Sequence, residues 1–438
     1  MSQELLVTLI AVGLLLLLVL KFRMHASPAL LLVSLFAALG GGMGVEGLVA
    51  TIQKGMGGTL GFIAVVIGLG SIFGALLEAS GGVGAIGRLF LEKAGEKGGR
   101  YAMGLVGLIV AIPVFFDVAL IILLPMVVSL AKRAGKPALW FGLPLLAGLA
   151  TAHAFVPPTP GPVAVANLLG ADLGLVILFG VLAGAPAMLL AGPFLVPLVD
   201  RLGALGPSIQ TNEDDQQQSG SAGGALLVIL VPVLLIVLSA LAKSLLEAGV
   251  LLDAISFAGH PFVALLVGCG LAWVLAKKSA GVDISAAVGK SLEPAGAVIL
   301  VTGAGGAFKQ VLVDTGAGAA LAESALGLGL TPLVAGFGLA LMVRVAQGSA
   351  TVAMITAAGL VAPIAESVGL AGAGLALVVI AIAAGATAFS HVNDSGFWLV
   401  NRYFGQTTAE TLKSWTLCSA IVGFVGFGVA ALLMMFVG

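Results

Sequence analysis

Charged side chains are scarce in this sequence. Asp, Glu, Lys and Arg make up 9% of the 438 residues, whereas hydrophobic residues make up 60%. A soluble protein carries roughly 25% charged residues, so this chain has too few charges to cover a soluble surface of its size. The formal net charge of -1 also provides no basic face for nucleic acid. These shortages exclude a soluble globular protein and a nucleic-acid-binding protein.

Cysteines and the common enzyme signatures are also rare or absent. The two cysteines, Cys269 and Cys418, both lie in apolar runs, which excludes a disulfide framework and favours small buried residues. The sequence contains neither HExxH nor GxSxG, and the GxGxxG string at 82–87 follows no predicted strand. We therefore expect no metal, no cofactor and no enzymatic activity.

Long apolar runs recur along the chain and are typical of transmembrane helices. They lie near 4–20, 28–45, 59–79, 101–131, 139–170, 174–199, 224–243, 261–276, 293–313, 331–365, 372–404 and 414–437. Two long runs, 139–170 and 372–404, contain polar or proline-rich interruptions and are predicted to be broken spans. Two others, 101–131 and 331–365, are predicted to be re-entrant hairpins, whose irregular backbone must be satisfied by protein or water. The sequence therefore predicts an all-α polytopic membrane protein with about ten spans and two hairpins.

The positive charges predict how these spans are oriented. Most of the 19 Lys and Arg residues, Arg402 among them, satisfy the positive-inside rule if both termini lie outside. The hairpin at 101–131 then opens to the cytoplasm and the hairpin at 331–365 opens to the outside. The longest polar segment, 201–223, is predicted to be a cytoplasmic linker between two halves.

The two halves resemble each other at an offset of 235 residues. The matching residues are Gly68, Gly70, Phe73, Leu77, Gly81 and Ala85 with Gly303, Gly305, Phe308, Leu312, Gly316 and Ala320, and then Gly161, Val165 and Gly170 with Gly396, Val400 and Gly405. We predict a first membrane repeat at 1–200 and a second at 224–438. Because each half has an odd number of spans, the second repeat is inverted. Inverted repeats with broken helices are common in secondary transporters.

Polar groups in the first half mark one hairpin and one broken span. A charge at the bilayer centre costs roughly 2.5–3.5 kcal/mol, so each such group needs a partner or a function. In the hairpin, Pro113 breaks the helix and Asp117 lies at the turn, where it is a candidate to carry a proton or to cap a helix. The four prolines in 157–162 cannot continue a helix. Thr159 is a ligand candidate there, and His153 either carries a proton or packs through a hydrogen bond.

The second hairpin contains a candidate anion site. Gly348 permits a tight turn, and Ser349 and Thr351 place hydroxyls at the start of the next helix. The free N–H groups of a helix N-terminus suit an anion. Arg344 is predicted either to bind a substrate carboxylate or to pair with a buried acid such as Asp314.

The second broken span is the repeat partner of the proline-rich break. Its residues Asn393, Asp394 and Ser395 are unfavourable in an apolar helix interior. Ser390, Asn393 and Ser395 are candidates to bind substrate hydroxyls. His391 and Asp394 are candidates for proton coupling, or they form a structural hydrogen bond with each other.

Lys309 is a further candidate, in the apolar run at 293–313. It either binds a substrate carboxylate or neutralises a buried acid.

Through these residues the chain resembles the gluconate:proton symporter (GntP) family over nearly its whole length. The motifs are GGTLGF at 57–62, PPTPGP at 157–162, AGGAFKQVLVDTG at 304–316, RVAQGSATVAM at 344–354 and FSHVNDSGFWLV at 389–400. The resemblance implies import of sugar acids with protons across the bacterial inner membrane. It also implies a transport domain that moves against a dimeric scaffold. The chain departs from the family pattern at Thr159, where members often have His.

The resulting hypothesis is a homodimeric, proton-coupled symporter for gluconate or a similar sugar acid, working by an elevator-like alternating access. The expected substrate ligands are Thr159, Lys309, Arg344, Gly348, Ser349, Thr351, Asn393 and Ser395. The expected proton-coupling groups are Asp117, His153, His391 and Asp394. The alternatives are a sodium-coupled carboxylate or D-serine transporter of the same fold and a passive channel, which would equilibrate its substrate without concentrating it.

Overall fold

The computed structural model describes residues 3–207, 220–279 and 283–437. Within these residues the regular elements are all helical, which confirms the predicted all-α polytopic class. The predicted linker at 201–223 lies largely outside the described residues, since 208–219 are not among them.

The first half contains nine helices within the described residues. They are α1 (Gln3–Leu16, continued by a π-helical turn at Leu17–Lys21), α2 (Ala26–Gly40), α3 (Val45–Ala79), α4 (Gly82–Val110), α5 (Phe116–Ala134), α6 (Leu139–Phe155), α7 (Pro160–Leu169), α8 (Leu173–Ala191) and α9 (Val196–Arg201).

The second half contains eleven helices, again among the described residues. They are α10 (Ala222–Leu245), α11 (Val250–Ala258), α12 (Pro261–Lys277), α13 (Ile284–Asp314), α14 (Ala317–Gly327), α15 (Pro332–Gln347), α16 (Ala350–Ser367), α17 (Gly372–Thr387), α18 (Ser395–Tyr403), α19 (Thr408–Thr411) and α20 (Leu417–Val437), with a π-helical segment at Leu412–Thr416.

Fewer helices than predicted are long enough to cross a membrane alone. In the described parts of the chain, seven qualify by length and apolar composition, or eight if the bent pair α11 and α12 forms one span. The seven are Val45–Ala79, Leu139–Leu169, Leu173–Arg201, Ala222–Lys243, Ile284–Asp314, Ala350–Ser367 and Thr408–Val437. Shorter helices form the predicted spans at 4–20, 28–45 and 372–404, because turns or breaks end each of them early.

The predicted hairpins and breaks occur where prolines, glycine and polar residues interrupt the apolar runs. The first hairpin turns between α4 and α5 at 111–115, and the second turns between α15 and α16 at Gly348 and Ser349. The first broken span is interrupted between α6 and α7 at 156–159, and the second between α17 and α18 at 388–394. Both discontinuities separate an almost fully buried helix from a shorter one.

Helix ends recur at the predicted offset. Gly81 and its counterpart Gly316 both adopt the left-handed conformation, with φ of 69° and 71°, just before α4 and α14. His25 and His260 both cap a helix by accepting the backbone N–H of the residue two positions later. Gly170 ends α7 with φ of 74° and its counterpart Gly405 follows α18 with φ of 60°. This recurrence supports the predicted duplication, while the opposite orientation of the halves in the membrane stays a prediction.

The repeat-related helices α3 and α13 pack against each other at glycines. Both are buried along the contact, and Gly55 lies against the backbone of Gly306 and Ala307. A methyl group on Gly55 would lie 2.6 Å from the Gly306 carbonyl oxygen and 2.8 Å from the Ala307 Cα. Small residues allow such close approach of membrane helices, where dispersion contacts replace the hydrophobic effect as the driving force.

This contact predicts that a glycine-to-alanine substitution changes stability differently at two positions of α3. Gly55→Ala is expected to destabilise the protein by about 1–3 kcal/mol because the added methyl overpacks the crossing. Gly58→Ala is the matched control, since Gly58 is exposed with no neighbour within 4 Å, and it should be neutral or slightly stabilising because Ala favours a helix. Thermal unfolding in detergent measures both. Equal effects of the two substitutions would contradict the close-contact interpretation.

Candidate functional site

Most of the predicted site residues surround one central cavity of about 960 Å³. The walls are the start of α5, the end of α6, the α15–α16 turn, the second break with α18, and Trp415 of the π-helical segment. The predicted residues in its lining are Asp117, His153, Arg344, Gly348, Ser349, Thr351, Asn393, Asp394 and Ser395. The second hairpin and the second broken span therefore meet the first hairpin around one polar chamber.

A buried ion pair joins the second hairpin to the second break. The Arg344 Nη2 lies 2.6 Å from the Asp394 Oδ2, and the two side chains are 5% and 12% exposed. The Arg344 Nη1 donates to the Gly348 carbonyl, while its buried Nε has no hydrogen-bond partner among the described residues. The alternative partner Asp314 instead accepts hydrogen bonds from Thr51 at 3.0 Å and from Gln310 at 2.7 Å.

Neighbouring hydrogen bonds fix the Asp394 carboxylate. Its Oδ1 accepts the Gly396 backbone N–H at 3.2 Å and so caps α18. Its Oδ2 also accepts the Ser390 hydroxyl, and that hydroxyl accepts the Trp415 indole N–H at 2.7 Å. A carboxylate with this many donors is held in one orientation toward Arg344.

Trp415 reaches this network because the chain forms a π-helical turn there. The segment Leu412–Thr416 precedes α20, and single-turn π-helices occur frequently at functional sites. The Thr416 hydroxyl donates to the Ser390 carbonyl at 2.5 Å, and the Ser390 N–H donates to the Ser419 hydroxyl at 2.9 Å. The start of α20 thus holds the second break in place.

The turn of the second hairpin presents a helix N-terminus to the cavity. Gly348 has φ of 91°, and a Cβ there would collide with the backbone of Asn393. The Ser349 hydroxyl caps α16 by accepting the Val352 N–H at 3.3 Å. The Ser349 N–H donates to the Gln347 side-chain carbonyl at 3.1 Å. The first turn of α16, including Thr351, therefore faces the chamber with the positive end of its helix dipole.

Two side chains of the second break bind the last turn of α15. The His391 Nε2 and the Asn393 amide each lie 2.9 Å from the Val345 carbonyl oxygen. His391 is not among the residues that line the cavity. The alternative of a side-chain hydrogen bond between His391 and Asp394 is not what the structure shows, since those residues meet only through the Asp394 N–H and the His391 carbonyl at 2.9 Å.

The first hairpin contributes a carboxylate with no direct partner. Asp117 lies in the first turn of α5, exposed to the cavity, and no hydrogen bond or ion pair holds it within the described part of the chain. The N-cap of α5 is Phe115, so Asp117 does not serve as the cap residue.

His153 lies beside the first hairpin. The ring centroid of His153 lies 6.4 Å from that of Phe115. The buried Nδ1 of His153 has no partner among the described residues.

Thr159 and Lys309 lie outside the central cavity. The Thr159 hydroxyl donates to the Val156 carbonyl at 2.8 Å, and the residue lines a second, much smaller cavity beside His153. The Lys309 ammonium donates to the Leu168 carbonyl at 2.9 Å and pairs with Glu366 at 2.8 Å. Lys309 therefore stabilises the C-terminal end of α7, where carbonyl groups favour a cation.

The cavity also contains residues that the sequence reasoning missed. Arg402, Trp398, Gln347 and Trp415 all belong to its lining. Arg402 and Trp398 lie seven and three residues after Ser395, a helical spacing that places all three on one face of α18. That spacing was the available signal for Arg402, whereas the position of Trp415 depends on a tertiary contact.

The polar cavity lies between two hairpin turns and a broken helix, in a chain of membrane-spanning helices. This is the architecture of a multi-pass membrane transporter. The chain belongs to the GntP permease family, whose sequence model matches residues 3–437. The family consists of permeases, which confirms the prediction that the chain is not an enzyme. The predicted location in the bacterial inner membrane is also confirmed.

Curated relatives support this assignment over most of the chain. The low-affinity gluconate transporter of Escherichia coli K12 is 43% identical over 427 residues, which cover 95% of this chain and 96% of the relative. A gluconate permease of Pseudomonas aeruginosa is 37% identical over 421 residues, covering 94% of this chain and 93% of that protein. The solved structure of Neisseria gonorrhoeae MtrF shares the fold, with a TM-score of 0.62, 15% identity, and coverage of 90% of this chain and 86% of that chain.

The buried ion pair predicts a marked difference between a single and a double substitution. Arg344→Gln leaves the Asp394 carboxylate buried without its counter-charge, which should destabilise the protein by about 3–5 kcal/mol. Adding Asp394→Asn removes both charges and should recover most of that loss. Thermal unfolding in detergent measures the two variants.

A second ion pair provides the control for this prediction. Lys243→Gln removes the partner of Asp172, a pair whose side chains are 53% and 33% exposed, and such pairs contribute only about 0–1 kcal/mol. Equal destabilisation by the single and the double substitution at Arg344 and Asp394 would show that the two charges do not depend on each other.

Proposed function

We propose that this chain is a secondary active transporter that imports gluconate or a closely related sugar acid together with protons. The observation that carries the proposal is the central cavity, in which both signs of charge, hydroxyls and a helix N-terminus converge where the hairpins meet the second broken span. The names of the relatives, a low-affinity gluconate transporter and a gluconate permease, support gluconate as the substrate.

The lining of the cavity suits a molecule with a carboxylate at one end and hydroxyls along its chain. We assign the carboxylate to Arg344, to Ser349 and to the N–H groups that begin α16, because a guanidinium and a helix N-terminus both favour an anion. We assign the hydroxyls to Thr351, Asn393 and Ser395, which supply donors and acceptors along one wall. Thr159 and Lys309 lie outside this wall and have no direct contact with substrate in this assignment.

Proton coupling requires a group that changes its charge during the transport cycle. The candidates at the cavity are Asp117, His153 and Asp394. His391 lies next to the cavity, where its ring is bound to the Val345 carbonyl. Each of these groups is titratable and lies at or beside the cavity.

We also propose that transport proceeds by alternating access of an elevator type, with a dimeric scaffold. Each hairpin contacts the short half of the other repeat's broken span, since α16 packs on α7 and α5 contacts α18. These contacts connect the two repeats beside the cavity, which suits movement of the four helices as one body past the rest of the protein.

Uptake into proteoliposomes tests the proposed function. With the interior made alkaline and sodium absent, we expect gluconate to accumulate above its external concentration, and a protonophore to abolish the accumulation. Liposomes without protein provide the background. Equilibration without accumulation would indicate a channel, and accumulation that requires sodium at fixed pH would indicate sodium coupling, so either result would overturn the proposal.

A further inference from the structure

We infer that Arg344 exchanges Asp394 for the substrate carboxylate, and that Asp394 takes up the transported proton when it loses Arg344. This inference rests on the proposed function and names the residue that links its two ligands. Among the candidate proton groups, Asp394 is the one that contacts the Arg344 guanidinium directly.

The geometry leaves one edge of Arg344 incompletely filled. The Nη1 donates to the Gly348 carbonyl, whereas the opposite edge consists of Nη2, which binds one oxygen of Asp394, and the buried Nε, which has no partner among the described residues. A guanidinium prefers to bind a carboxylate with two parallel hydrogen bonds. A substrate carboxylate that enters from the cavity satisfies both Nε and Nη2, which Asp394 does not.

Displacement would leave Asp394 as a buried carboxylate without a counter-charge. Such a group is strongly disfavoured unless it becomes neutral. The neutral form already has its partners in place, because Oδ1 keeps the Gly396 N–H and Oδ2 keeps the Ser390 hydroxyl, which can rotate to accept from a carboxylic acid. Substrate binding and protonation of Asp394 therefore favour each other, and this linkage is reciprocal.

The surrounding charged groups are few. Asp117 of α5 and Arg402 of α18 line the same cavity, and His153 of α6 lies within electrostatic range of both Asp117 and Asp394. His391 is directed toward the Val345 carbonyl. Among the described residues, Arg344 is the only group in direct ionic contact with Asp394.

The exchange balances charge. Before binding, the pair of Arg344 and Asp394 has no net charge. Binding adds one negative charge from the substrate and one proton to Asp394 Oδ2, so the occupied site is again neutral. A site that carries no net charge in either state can move through a membrane at the lowest electrostatic cost.

Proton uptake on binding tests this inference directly. Purified wild-type protein in weakly buffered detergent solution should take up about one proton per gluconate bound, as reported by a soluble pH indicator. The apparent Kd for gluconate should then rise about tenfold per pH unit above neutrality, the slope for one linked proton. Asp394→Asn, which keeps an α18 cap residue, should bind gluconate with no proton uptake and no pH slope.

Asp172→Asn is the matched control. Asp172 also caps a helix and also pairs with a cation, Lys243 at 3.4 Å, but it lies outside the cavity lining. It should behave as wild type in proton uptake. In proteoliposomes, Asp394→Asn should still exchange labelled for unlabelled gluconate but should no longer accumulate it against a gradient.

Several outcomes would overturn the inference. Undiminished proton uptake in Asp394→Asn, with loss of uptake in Asp117→Asn, would assign the proton to Asp117. Loss of gluconate binding in Arg402→Gln but not in Arg344→Gln/Asp394→Asn would assign the substrate carboxylate to Arg402. If Asp394→Asn does not fold, infrared difference spectra of wild type remain decisive, since gluconate must increase the carboxylic-acid absorption and an unchanged spectrum contradicts the exchange.

These results are distinguishable from failure of the proposed function. If wild type accumulates gluconate under a pH gradient while Asp394→Asn still takes up a proton, only the exchange is wrong. If wild type accumulates no gluconate under any pH gradient, the proposed function itself is wrong.

Discussion

Two helices that stop at membrane depth leave backbone groups that lipid cannot satisfy, and the arrangement of the site follows from that constraint. The structure meets it by packing polar side chains of each break against neighbouring backbone. His391 and Asn393 bind the Val345 carbonyl, and Thr159 binds the Val156 carbonyl. Because the groups that satisfy the second break are themselves polar and adjoin the turn of the second hairpin, the same contacts enclose a polar cavity. The second helix break and the candidate site are therefore one structural feature.

The two breaks match in position but differ in chemistry. Thr159 and Asp394 lie at the predicted repeat offset of 235 residues, and each is the N-cap residue of the short helix that follows its break. The first break holds its helix with prolines and a hydroxyl, whereas the second holds it with a carboxylate that also pairs with Arg344. The counterpart of Arg344 in the first half is Ile109, so only the second half carries the ion pair.

The interruptions of the fold could be predicted from the sequence because they depend on local chemistry. The clustered prolines at 157–162 and the polar residues at 389–395 interrupt an apolar helix, whereas single prolines such as Pro144 and Pro363 remain inside helices. Both hairpins turn within the long apolar runs that predicted them. The partners of individual side chains could not be predicted, because Arg344 and Asp394 are 50 residues apart and no periodicity relates them. The short helices α11 and α14 were also missed, since both lie in the gaps between the predicted apolar runs. Arg402 was counted as a cytoplasmic charge, although its position on one face of α18 places it in the cavity.

One proton should enter with each substrate anion, because Arg344 can neutralise only one carboxylate at a time. The dependence of gluconate uptake on membrane potential at a fixed pH gradient tests this in proteoliposomes whose potential is set by potassium and valinomycin. We expect an unchanged initial rate and no net current on a solid-supported membrane, because the loaded site is neutral. A gluconate-dependent current, or a rate that follows the imposed potential, would contradict it.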